Sequence, residues 1–86
     1  MYASTRIQQH IAQWTPDRYD TAMIDFALQW QFFDGGDAGD IFETFGLPER
    51  RYFQRLLNWM SDDRVPGVDD DARSRITEVC HRRLAA

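Results

Sequence analysis

Apolar residues recur along this chain with the period of an α-helix and show no strand-like alternation. From Thr15-Pro16-Asp17, where a cap, a proline and an acid open a helix, two stripes run forward. Tyr19, Met23, Phe26, Trp30 and Phe33 form one, and Ile24, Leu28 and Phe32 form the other, nearly opposite. A helix apolar on two sides is buried on two sides. Residues 16–33 are therefore expected to form the central helix, with the second stripe covered from within the chain, a dimer seam being the alternative. Ahead of it, Thr5-Arg6-Ile7-Gln8 has the form of a capping box, and Ile7, Ile11 and Trp14 share a face, which predicts a helix over 6–14.

Asp34-Gly35-Gly36-Asp37 breaks the pattern. Asp37 then caps a short helix, 38–45, whose apolar side is Ile41, Phe42 and Phe45. Gly46 ends that helix and Pro48 suits the first turn of the next, 48–60. A Pro-Gly loop follows. Asp69, Asp70 and Asp71 open a last helix, 70–84, with Ala72, Ile76, Val79 and Cys80 inward and His81-Arg82-Arg83 at its negative end. The expected fold is all-α: a single domain over 1–86, a compact bundle of about five helices.

Helix 48–60 divides cleanly at about 100° per residue. Tyr52, Phe53, Leu56, Leu57, Trp59 and Met60 take one half. Arg50, Arg51, Gln54, Arg55 and Asn58 take the other, with no acid among them. Arginine pairs bidentately with guanine or grips phosphate, and Gln and Asn pair with adenine. A short helix, a tight glycine turn and a longer amphipathic helix is the helix-turn-helix arrangement. An ordinary solvated face has the same composition, so the reading needs more than this helix.

Charge changes the picture. Eighty-six residues carry ten arginines, no lysine, and a net charge of −4, which opposes unspecific attraction to nucleic acid. Residues 17–45 hold seven acids against Arg18, and 61–71 hold five against Arg64. Arginine prevails in 46–60 and again in 72–86, where Arg73, Arg75, Arg82 and Arg83 face only Glu78. Those four are the candidates for phosphate contacts.

From Met23 to about residue 84 the chain resembles an actinobacterial family of small helix-turn-helix proteins, a domain of unknown function. The resemblance is carried by Asp25-Phe26, Trp30, Gly35-Gly36, Ile41-Phe42-Glu43-Thr44-Phe45-Gly46-Leu47 and Arg51-Tyr52-Phe53-Gln54-Arg55-Leu56-Leu57-Asn58. It implies a helix-turn-helix fold and, by analogy of fold, binding to double-stranded DNA. Two departures stand out. Leu47-Pro48 replaces the usual serine cap, and Asp37, Asp40 and Glu43 make the first motif helix acidic where the family's is basic. In a helix-turn-helix that first helix crosses the phosphate backbone.

Other chemistry finds little support. Cys80 and His81 are neighbours on a helix and point about 100° apart, a poor start for a metal clasp or a nucleophile–base pair. His10 is isolated, and one cysteine with two distant histidines does not make a zinc site. Asp34, Asp37 and Asp40 lack the spacing of a calcium loop. No phosphate-binding glycine loop or nucleophile elbow occurs. The expectation is a non-enzyme without cofactor, cytoplasmic, with no leader peptide and no membrane span in the sequence.

Two functions compete. One is a small DNA-binding transcriptional regulator that reads the groove with helix 48–60, a homodimer or a protein partner sharing the binding. The other is a non-catalytic protein-binding adaptor, in one variant derived from a phage or mobile element, whose acids Asp34, Asp37, Asp40, Glu43, Asp62 and Asp63 meet a basic or transcription-associated partner.

Overall fold

Each helix starts where a side chain can hold the backbone N–H groups that its first turn leaves unpaired. In the computed structural model, which describes residues 17–62 and 65–85, Asp17 is extended and its carboxylate accepts the Asp20 N–H at 2.8 Å. That cap opens α1, Arg18–Trp30. Asp37 does the same for α2, Ala38–Phe45, through the Gly39 N–H at 3.1 Å. Asp69 accepts the Ala72 N–H at 2.8 Å and opens α4, Asp70–Ala85. The exception is α3, Glu49–Met60: its cap position is Pro48, which offers no side-chain hydrogen bond. Among the described residues the fold is all-helical, with these four helices. The expected helix 6–14, with His10, lies outside them, as do Thr15 and Pro16.

Both α1 and α3 touch every other described helix, and α3 carries the most enclosed side chains. Tyr52 and Phe53 are fully enclosed, and Leu56 and Met60 nearly so. Around them α1 contributes Met23, Ile24 and Ala27, α2 contributes Ile41 and Phe45, and α4 contributes Ala72, Ile76, Val79 and Cys80. The α3–α4 pairing is the most extensive. Aromatic rings fill the middle at edge-to-face and stacked geometries: Phe45 stacks on Tyr52 at 5.3 Å, and Phe26 meets both edge-on. Two tyrosine hydroxyls stitch the helices, Tyr19 donating to the Phe45 carbonyl and Tyr52 to that of Met23.

The helix α1 ends at Trp30, before the expected Phe33. Both the Phe33 and Gly35 N–H groups donate to the Trp30 carbonyl, at 2.9 and 3.0 Å. With Asp34 left-handed (φ 63°), this is the six-to-one closure that terminates helices. Neither stripe therefore reaches its expected end: Phe32 and Phe33 lie in the turn and stay about two-thirds exposed. The second stripe is met from within the chain at Ile24 and Leu28, which share a surface depression with Val65 and Pro66. On α2, Phe42 also departs from the expected inward set and is exposed, some 80° round from the Ile41–Phe45 direction.

Gly35 is required twice over. Its φ is +83°, and a Cβ there would stand 2.7 Å from Val79 Cγ1 and 3.0 Å from Phe53 Cε1. Gly46, the α2 cap, has φ +69° but meets nothing within 4 Å. Gly35→Ala is thus expected to lower unfolding free energy by about 2–4 kcal/mol, from backbone strain plus overpacking. Gly46→Ala should lower it by about 1 kcal/mol from strain alone. Urea denaturation of both variants separates the two causes, and equal losses would contradict the packing argument.

Candidate functional site

The outward side of α3 is set by what its inward side buries. With Tyr52, Phe53, Leu56 and Met60 in the core, helical geometry turns Arg51, Gln54, Arg55 and Asn58 to solvent. Together with Leu47 from the preceding turn, these four line a shallow surface depression. Arg51, Gln54 and Asn58 are spaced three and four residues apart along one line of the helix. None of the three has a side-chain partner among the described residues. The rigid backing on the other side of the helix holds their Cα positions fixed.

Arg55 shares the face but is held by the fold. Its Nε and Nη2 donate to the two oxygens of Asp20 at 2.6 and 3.1 Å, and its guanidinium lies 5.0 Å from the centre of the Tyr19 ring. Asp20 is 5% exposed, the only buried charged residue among those described. Burial pushes its carboxyl upward, and hydrogen bonds from Arg55 and Trp59, the Arg55 charge and a hydrogen bond with Asp17 together hold it below the usual carboxylate range. Asp20 was not singled out by sequence, yet a signal exists. Asp20, Met23, Ile24 and Ala27 stand at i, i+3, i+4 and i+7, so an acid heads a buried line.

The remaining candidate cations are also tied down. Arg50 donates to the Leu84 carbonyl at 3.2 Å. Arg73 pairs with Asp70 at 3.0 Å. Arg75 donates to Gln31 Oε1 and lies over the Phe32 ring at 4.4 Å, which covers one face of that exposed ring. Arg82 pairs with Asp34 at 2.5 Å, and this hydrogen bond and charge hold the Asp34 carboxyl below its usual range. Arg83 donates to the carbonyls of Asp34 and Gly36 and to Glu49 Oε2, all within 2.7 Å, over the ring of Phe53. The two arginine-rich helices are thus not two free basic surfaces. The structure brings Arg51, Gln54, Arg55 and Asn58 together and sets Arg73, Arg75, Arg82 and Arg83 into contacts of their own.

The acidic candidates divide in the same way. Asp34 belongs to Arg82. Asp37, Asp40 and Glu43 are exposed, with no cation in ion-pair range among the described residues. Asp62 is half-buried, and Asp63 lies outside the described residues. Cys80 is fully buried, and burial pushes its thiol up to about 12, so it stays protonated at neutral pH. No group of acids, histidines and cysteines able to hold a metal ion occurs among the described residues, and no described helix is long and apolar enough to cross a membrane.

The Asp20–Arg55 pair carries a pH signature. A carboxylate whose folded pKa is depressed stabilises the fold fully above its unfolded value near ~4, and that stability is lost as pH falls through the folded value. The urea midpoint is expected to be flat from neutral pH to about pH 5 and to fall below about pH 4. Asp20→Asn should lower stability by about 1–2 kcal/mol at neutral pH, since Arg55 is partly solvated and screened. The same variant should also flatten the acid limb, and an acid limb identical to the wild type would remove Asp20 from this role.

Compared with protein-family models, curated proteins and solved structures, the chain matches no family model, no curated protein and no solved structure.

Proposed function

We propose that this chain is a non-catalytic helix-turn-helix protein that binds double-stranded DNA, acts as a transcriptional regulator and reads the major groove with α3. One observation carries the reading: Arg51, Gln54 and Asn58 stand exposed on one line of a rigidly backed helix, with no partner among the described residues. Arginine with two carboxamides is a set suited to guanine and adenine edges. An α-helix of twelve residues, about 18 Å long, fits the width and run of the major groove. A short α2, the three-residue turn Gly46-Leu47-Pro48 and a longer α3 follow in the order of a helix-turn-helix, which supports the reading.

The same geometry limits how strongly one copy binds. Phosphate contacts supply most of the affinity of DNA-binding proteins. Here Arg73, Arg75, Arg82 and Arg83 already hold acids, amides or carbonyls, and α2 turns Asp40 and Glu43 outward. Attraction to the backbone is weak in consequence, and a second copy or a protein partner shares the binding. Recognition in this reading rests on base edges more than on charge, and no cofactor takes part.

Selection of bound sequences from a random duplex pool at near-physiological salt tests it. An enriched motif is expected. Arg51→Ala and Gln54→Ala should each weaken binding to that motif by about 1–3 kcal/mol and relax the preference at one base position. Because both side chains are exposed, the variants should fold like the wild type. Failure to enrich any motif, or unchanged affinity in the double variant, would sink the proposal.

A further inference from the structure

Away from α3, at the end of α1, exposed aromatic surface meets carboxylates of which Asp37 and Asp40 have no cation in range among the described residues. Trp30 is half-buried and Phe33 is 68% exposed. Their ring centres are 5.9 Å apart and the planes stand at 75°, which leaves an open corner. The depression at this corner is lined by Trp30, Phe33, Asp34, Gly36, Asp37 and Arg83. Two of its charges are already matched, Asp34 by Arg82 and Arg83 by Glu49. Asp37 is not: one oxygen caps the Gly39 N–H, and no cation lies in range among the described residues. Asp40, three residues on and on the same side of α2, is exposed and equally unmatched.

We propose that this aromatic–acidic face docks a partner protein through a short segment in which an arginine or lysine is flanked by large apolar side chains. The corner between two rings suits a cation, which is drawn to the faces of Trp and Phe and here finds the Asp37 carboxylate beside them. A second cation of the segment reaches Asp40. The flanking apolar side chains cover Phe33, whose exposure is otherwise a cost to a soluble surface. Charge complementarity chooses the occupant. Duplex DNA would be repelled by Asp37 and Asp40, and a second copy of this chain brings the same net −4. The face shares no residue with Arg51, Gln54 and Asn58, so it stands whether or not α3 reads DNA.

A random peptide library displayed on phage, selected against the immobilised full chain, tests this. Enriched peptides are expected to carry Arg or Lys beside Leu, Ile or aromatic residues, and to shift the backbone NMR signals of residues 33–40 and the Trp30 indole. Phe33→Ala and Asp37→Asn should each weaken those peptides at least tenfold. Asn keeps the helix cap, so the second variant tests the charge without the fold. The Arg51→Ala, Gln54→Ala double variant should bind the peptides like the wild type, which separates this result from that of the DNA reading. No enrichment, enriched peptides whose signals map elsewhere, or unchanged binding to Phe33→Ala would overturn the proposal.

Discussion

The guanidinium of Arg83 joins three parts of the molecule at one point. It lies over the Phe53 ring, donates to two carbonyls of the 34–36 turn, and pairs with Glu49 at the start of α3. The turn needs this. Asp34, Gly35 and Gly36 are all left-handed, so their carbonyls point away from any helical partner. An arginine suits the task because its planar fork carries five donors in fixed directions and stacks on an aromatic face at the same time. A lysine would supply charge without the fork. Arg83 is only 16% exposed at its side chain, and its bonds to Gly36 and Glu49 are partly shielded from water.

The same device recurs on the other side of α3. Asp20 is buried in the first turns of α1, and Arg55 answers it with two bonds while shielding the Tyr19 ring. A buried acid without its partner would be costly, and a lone arginine there would have no fixed geometry. Arg83 ties the start of α3 to α4 and the 34–36 turn, and Arg55 ties its middle to α1. This explains how a domain with a modest core keeps α3 in a defined orientation, and why the side chains that remain outward on it are presented rigidly. A recognition surface needs such backing, since base readout depends on placement to fractions of an ångström.

Arginine usage also reframes the net charge. An acidic chain that spends many of its cations inside its own fold leaves its acids to dominate the surface. Three of the acids left over, Asp37, Asp40 and Glu43, gather at the helix that a DNA reading would set against phosphate. A groove reader that binds weakly alone and a surface that recruits a cationic partner are therefore compatible parts of one molecule, because each uses residues the other leaves free.

Much of this was legible from residue order, because the signals are local. The cap acids Asp37 and Asp69, the breaks at Gly46 and Pro66-Gly67, and the inward sets of α2 (save Phe42) and α4 depend on neighbours within a turn or two. The outward line of Arg51, Gln54 and Asn58 follows from helix period alone. Position along the chain could not say which arginines are free. Arg55 meets Asp20 across 35 residues, and Arg83 meets Asp34 across 49. Nor could it end α1 at Trp30, since the left-handed Asp34 that closes the helix is held by arginines from α4. The sequence by itself determined the four described helices to within a turn and most of the side each one turns outward, through contacts between near neighbours. Only the tertiary structure decided which charges remain for a partner, because a guanidinium goes to whichever carboxylate or carbonyl the packed chain brings within reach.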